Sequence, residues 1–351
     1  MLKIERPPKG DWTRYSQPQI NNLGTPESGA LYLYNNMGKQ SVVFDWKRPS
    51  GLTRLHNLLE KADVLIDDLK FEDRANFGLD AESLTRLNGS LIDISLTPYG
   101  LSGPYEDWSS TPLVSLAMGG YAYLSGDPNR EPLMLPGHQP QYLNGLKGYS
   151  GVMLALHDRR RSGCGQVVEV SEMETLAALH QFTTVLLTYD GVIRRRAGVR
   201  LSTAAQIGGY PITTLPCKDG FVTFSASAAQ QWENLCCMME REDLLADPRF
   251  SNFRALKPYA DEIDDVLRGW IADKTRKEIV DIAAGVWSVP TSPVFELDEV
   301  LQDGQYAVRG LFHEQEHASG ETLIFPTVPF RLSKTPPIFK RAPLLNEHES
   351  N

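Results

Sequence analysis

The chain has 351 residues, with 35 lysines and arginines against 44 aspartates and glutamates, a formal charge of −9. That length can bury one large domain and a smaller one, and the acidic balance argues against a nucleic-acid or anionic-membrane surface. Four cysteines, two of them adjacent at Cys236 and Cys237, fit neither a disulfide framework nor a zinc spacing, and no apolar stretch reads as a signal peptide or membrane span, so a soluble cytoplasmic protein with reduced thiols is expected.

In chain order, Ser41–Asp45 (SVVFD) is a short apolar strand, and Leu52, Leu55, Leu58, Leu59 and Ala62 recur at helical spacing. Val64–Ile66 reads as a buried strand, Ala81–Leu87 as a second helix and Leu91–Leu96 as a third strand. This alternation argues for a parallel sheet covered by helices. In the following PYGLSGPY, Pro98–Tyr105, the glycines mark turns; as a phosphate cradle the loop is a weak signal by itself.

Pro136–Leu176 reads as helix, tight turn, strand and second helix. Leu146, Tyr149, Val152, Met153 and Leu156 fall at helical spacing and predict one buried face. Pro140 suits a first turn, Arg159, Arg160 and Arg161 suit a last one, and Gly163 suits the left-handed C′ position. Val167, Val168 and Val170 then form a strand, and Ser171 with Glu174 makes a capping-box start for a helix over Glu172–Tyr189. His180 on that helix reads as a packed core residue. Arg194, Arg195, Arg196 and Arg200 read as a solvated turn in a linker.

From Cys217, the turn Asp219-Gly220, a strand at Phe221–Ala226 and helices carrying Leu267, Trp270, Ile271, Ile279 and Ile282 outline a smaller domain. His313-Glu314-Gln315-Glu316-His317 spells the H-E-x-x-H pattern, which binds zinc only on a helix. Here Ala318–Glu321 reads as a hairpin turn, and on a strand residues four apart lie about 13 Å from each other. No metal is expected.

Several of these stretches together resemble the family III CoA-transferases, the formyl-CoA and carnitine type. The Gly-x-Gly-Gln turn of that family is matched by Gly163, Cys164, Gly165 and Gln166, and its two helix glycines fall on Gly145 and Gly151. Met1–Asp11, NNMGKQSVVFD, PYGLSGPY, LSGDP, D-P-R-F and VPTSPV resemble further family segments, so the likeness runs from residue 1 to about 348. The family's catalytic aspartate, four residues before the first glycine, falls on Gln141. In the family a carboxylate there attacks an acyl-CoA thioester, forming a mixed anhydride and then an aspartyl-CoA thioester. A glutamine amide is uncharged and cannot take that part.

The resemblance implies an α/β fold: a large Rossmann-like domain, short of its first strand–helix unit, and a small α+β domain, in an interlocked dimer. The boundaries it implies are 1–200 for the large domain, 201–215 for a linker, 216–310 for the small domain and 311–351 for the return to the large one. It places weak CoA contacts at Lys39, Lys70, Tyr99, Gly100 and Gly103, and an active-site loop at His138, Gly208 and Gly209. Met37 and Gln40 replace family cations, and Asp68-Leu69-Lys70-Phe71-Glu72 stands where the family has N-F-R-P-G, so CoA is expected as a substrate of the complex and not as a tightly bound cofactor. The implied function is a non-catalytic subunit of a heteromeric CoA-transferase beside a homologous catalytic subunit, with succinyl-CoA:benzylsuccinate exchange as the specific expectation. The rivals are an active enzyme using Glu131, Asp127 or Glu169, an isomerase with His138 as base, and a scaffold without ligand.

Overall fold

The computed structural model describes residues 1–200 and 209–349. They divide into two compact units, one built from 1–63, 74–91 and the chain from 295 onward, the other from 64–73 and 92–294.

In the first unit, strands β1 (Leu2–Glu5) and β2 (Gln40–Val43) pair in parallel, Leu2 opposite Gln40 and Glu5 opposite Val43. The helix Pro49–Leu59 turns Leu55 and Leu59 inward. Asn88 Nδ2 donates to the Leu59 and Ala62 carbonyls at 3.0 Å each, satisfying the end of that helix. The helix approaches the preceding loop so closely that a Cβ on Gly51 would lie 2.0 Å from the Asp45 carbonyl oxygen.

The second unit carries a parallel sheet of β3 (Val64–Asp67), β4 (Ile92–Thr97) and β5 (Val167–Ser171), with β4 in the middle. Ile92 and Ile94 on one face of β4 and Asp93 and Ser95 on the other are all buried, as expected of a parallel strand covered on both faces. Its site-building helices are α1 (Pro112–Met118), α2 (Gln139–Ser162), α3 (Glu172–Ala178) and α4 (Gln181–Asp190). An antiparallel sheet follows, β6 (Ile212–Cys217), β7 (Gly220–Ser225) and β8 (Thr291–Pro293). Leu215, Val222 and Phe224 from that sheet pack with Trp232, Leu235 and Leu267 from the helices Ala229–Met238 and Ala260–Ile271. In the first unit again, β9 (Phe312–Glu316) and β10 (Thr322–Pro326) form an antiparallel hairpin, so the H-E-x-x-H residues lie on and just beyond a strand. Among the described residues no helix is long and apolar enough to cross a membrane.

The strands fall within two residues of their expected positions, but the central helix is turned differently. Only Val152 and Leu156 of the expected face pack against the sheet. Leu146, Tyr149 and Met153 are 61, 59 and 48 % exposed, and so is Leu154 at 73 %. The physical reason is close approach. The buried stripe of α2 is Asn144, Gly148 and Ala155. A Cβ on Gly148 would lie 2.6 Å from Leu96 Cδ2, and one on Gly151 2.8 Å from Val168 Cγ1. Small residues make the closest approach to the strands, beside Val152 and Leu156, while Leu146, Tyr149, Met153 and Leu154 point outward. Gly145 meets nothing within 4 Å.

The helix expected over Glu172–Tyr189 is also two helices. The Leu179 and His180 amides bond to Leu176 and Ala177, i to i−3, and this tightened turn ends α3. His180 stacks on Tyr121, ring centroids 4.2 Å apart.

Candidate active site at the carboxyl edge of the parallel sheet

The three segments that converge beside the ends of β4 and β5 are the 98–105 loop, the first turn of α2 and the start of α3. Pro98 ties the loop to α3: its carbonyl accepts from the Met173 amide at 3.0 Å and from Ser171 Oγ at 3.4 Å. Ser171 also caps α3, accepting from the Glu174 amide. The carboxyl edge of a parallel sheet is where open α/β folds place ligands.

Gln141 stands in the first turn of α2, exposed, with Pro140 buried beside it. Its Nε2 donates to both carboxylate oxygens of Glu172, 3.0 Å each. One turn along both helices, Thr175 Oγ1 donates to Asn144 Oδ1 at 3.2 Å, both residues buried. The seam of α2 and α3 is thus closed by two polar pairs in register. Glu172 is only 5 % exposed, and α1 supplies a further partner, Ser115, itself 1 % exposed. Burial pushes the Glu172 carboxyl above the usual carboxylate range, partly offset by the hydrogen bonds from Ser115 and Gln141.

The 98–105 loop is built as its glycines predict. Gly100 has φ +94°, and a Cβ there would lie 2.6 Å from Glu169 Oε1. That oxygen accepts from the Leu101 amide at 2.5 Å. A carboxylate of the same chain therefore takes the Leu101 amide of this loop. Tyr99 is buried, its hydroxyl against Met118 Sδ at 3.4 Å, and its ring forms a cluster with Tyr105 and Trp108. Gly103 is exposed, with φ +99°.

The other candidates are placed as follows. Lys70 is exposed, and its Nζ donates to the Asp107 carbonyl at 2.6 Å. Lys39, in the first unit, bonds Asn36 Oδ1 at 3.0 Å. Burial and the nearby Lys3 lower its ammonium to about 8, with Asp11 opposing. His138 is half-buried immediately before α2 and makes no capping hydrogen bond. Gly209 is buried, with a would-be Cβ 2.4 Å from Phe253 Cδ2; Gly208 lies outside the described residues. Of the rival carboxylates, Glu169 is held by the loop amide, Asp127 accepts from the Asn129 amide in a turn at 2.8 Å, and Glu131 is exposed. Glu172 and Ser115 were not legible as site residues. An acid in the first turn of a helix has an ordinary explanation in the helix dipole, and Ser115 is one serine among many.

The sequence profile of CoA-transferase family III matches residues 1–349. The chain belongs to that family. It is 28 % identical to a succinate–glutarate CoA-transferase of Agrobacterium fabrum over 354 aligned residues, covering 100 % of this chain and 87 % of the relative. It is also 28 % identical to the beta subunit of a succinyl-CoA–L-malate CoA-transferase of Chloroflexus aurantiacus, covering 99 % and 85 %. The alpha subunit named for the same activity in that organism is 27 % identical over 96 % of this chain and 72 % of its own length. Among solved structures, a CaiB/BaiF family protein from Brucella suis superposes with a TM-score of 0.86 at 26 % identity, covering 99 % of this chain and 89 % of that one. For a family III CoA-transferase the reacting partners are a CoA thioester and a carboxylic acid. In this chain's seam an amide at 141 faces a buried carboxyl at 172.

Proposed function

We propose that this chain is the aspartate-less subunit of a heteromeric family III CoA-transferase. A homologous subunit supplies the carboxylate that this chain lacks at position 141, and the complex moves CoA between carboxylic acids in the cytoplasm. The observation that carries the reading is Gln141 itself: its amide has no nucleophilic charge, and its N–H groups are committed to Glu172. A second observation supports a partner. Leu146, Tyr149, Met153 and Leu154 leave the outer face of α2 apolar and exposed, as an interaction surface would be. Two of the relatives carry names of alpha and beta subunits. An interlocked pair of homologous chains is the arrangement proposed. Succinyl-CoA and benzylsuccinate are the substrate pair proposed, with CoA thioester held as substrate of the complex.

The test is co-expression with a homologue that keeps an aspartate at the matching position. Co-purification as one complex, with transfer lost when the partner's aspartate is changed to asparagine, is the expected result. Steady-state transfer by this chain alone at the rate of the complex refutes the reading.

A further inference from the structure

The amide at 141 does not leave the site without a carboxyl group. Glu172 lies one side chain deeper, with both oxygens 3.0 Å from Gln141 Nε2. We propose that Glu172 is a reacting carboxylate of this chain: presented with an acyl-CoA thioester, it accepts CoA and forms a glutamyl-CoA thioester. The proposal rests on the family's CoA-transfer chemistry and goes beyond the subunit reading, which assigns the turnover of the complex to the partner.

The comparison with the chain's other buried glutamate is what singles Glu172 out. Glu5 is held by an ion pair to Arg14 at 2.7 Å, with hydrogen bonds from Ser41 Oγ and the Asp11 amide. Its charge is neutralised, and it is structural. The hydrogen-bond partners of Glu172 are neutral, the Gln141 amide and the Ser115 hydroxyl. Ser115 Oγ is in turn 2.7 Å from Ser110 Oγ. These donors orient the carboxylate without cancelling its charge, so an ionised Glu172 stays a nucleophile. Burial works in the same direction, because a desolvated carboxylate is more basic than one in water. Gln141, which bonds both oxygens, is itself exposed, and the proposal requires it to swing aside for the thioester to reach them. None of Glu169, Asp127 and Glu131 combines burial with neutral donors in this way.

The chemistry balances without an added reagent. A Glu172 oxygen attacks the thioester carbonyl carbon, the carbon–sulfur bond breaks, and CoA thiolate leaves a mixed anhydride. The thiolate then attacks the glutamyl Cδ and expels the acyl group as its free carboxylate, which leaves the glutamyl-CoA thioester. At that point CoA is held on Glu172 and the acyl group has left as its carboxylate, with no proton gained or lost; the steady-state turnover of the complex runs through the partner's carboxylate.

The experiment incubates the purified full chain with succinyl-CoA, reduces with borohydride, and maps the modified peptide by mass spectrometry. The expected result is reduction of residue 172 to the primary alcohol, absent without succinyl-CoA and absent in Glu172→Gln. Ser115→Ala, which removes one donor and keeps the carboxyl, should lower the yield several-fold and guards against a Glu172→Gln chain that fails to fold. No reduced residue, or reduction at a different carboxyl, overturns the proposal. An adduct without steady-state turnover leaves the subunit reading intact, whereas turnover by the isolated chain at the rate of the complex overturns that reading and not this one.

Discussion

Gln141 and Glu172 face each other across the seam of α2 and α3, the amide donating to both carboxylate oxygens at 3.0 Å. Because of that contact, any acid placed at position 141 meets an existing one. Gln141→Asp should therefore recover little transfer. Two carboxylates at this distance cannot both ionise freely near neutrality, and each raises the other's pKa. Both raised pKa values mean that the folded state binds more protons than the unfolded one. Stability then falls as pH rises through the range between the unfolded and folded pKa values. The variant should match its parent at low pH, where both carboxyls are protonated and do not repel, and lose about 1–2 kcal/mol at neutral pH, roughly one pKa unit of repulsion. Urea denaturation across the pH range checks this. A variant as stable as its parent at every pH, with transfer restored, contradicts it.

CoA should bind this chain weakly when it is alone. The resemblance puts CoA contacts at positions where this chain has Met37, Gln40, Phe71 and Glu72, and the candidate donors nearby in sequence already have partners within the chain. The Lys70 ammonium donates to Asp107, the Lys39 ammonium to Asn36, and the Leu101 amide to Glu169. Each of those bonds must be exchanged for a contact to phosphate, which lowers the net gain. Titration calorimetry with CoA should give no saturable heat in the micromolar range. A tight one-to-one isotherm refutes the prediction.

Much of the fold was legible because its signals are local. β-Branched runs separated by helical periodicity placed β2 to β5, and Gly163 takes the left-handed position, φ +75°, that ends α2. The orientation of α2 was not legible, because an apolar face left exposed looks the same in sequence as one facing the core. What decides it is steric: Gly148 and Gly151 permit contact with Leu96 and Val168, and Leu146, Tyr149, Met153 and Leu154 are left outside. The site was half legible. Gln141 was found through a motif, whereas Glu172, 31 positions further on, is joined to it only by the folding of α3 against α2.

The glycines of α2 give a direct test of that packing. Gly148→Ala places a methyl 2.6 Å from Leu96 Cδ2 and should destabilise the protein by about 1–3 kcal/mol, the usual range for overpacking. Gly145→Ala meets open space and should stabilise the helix by about 0.5–1 kcal/mol. Thermal denaturation of the two variants should move in opposite directions. Equal shifts contradict this orientation of the helix. A Gly145→Ala chain that folds well but no longer joins the homologous subunit would place the partner on that face.

The last prediction concerns the buried ion pair of the first unit. Arg14 and Glu5 are both almost fully buried, and the Arg14 guanidinium also lies over the Tyr32 ring, 3.8 Å from its centroid. Burial raises the Glu5 carboxyl, but hydrogen bonds from Arg14, Ser41 and the Asp11 amide, with the Arg14 charge, outweigh it and hold Glu5 below the usual range. A folded-state pKa below the unfolded one stabilises the fold above the unfolded value, and that stability is lost as pH falls through the folded value. In the parent, acid should therefore weaken this unit. Arg14→Leu removes the cation and leaves the carboxylate buried with neutral donors, a change that costs about 3–5 kcal/mol when one partner of a buried pair is deleted. It also reverses the sign. With the cation gone, burial dominates and the folded-state pKa of Glu5 moves above the unfolded one, so protonation now favours the folded state. The variant should regain stability on acidification over the range in which the parent loses it. Adding Glu5→Gln to Arg14→Leu removes the buried charge, so the double variant should be more stable than Arg14→Leu at neutral pH, with a flatter pH dependence. Denaturation curves of the four proteins at several pH values measure all of this. Parallel pH profiles for the parent and Arg14→Leu would show that Glu5 does not depend on Arg14 for its charge.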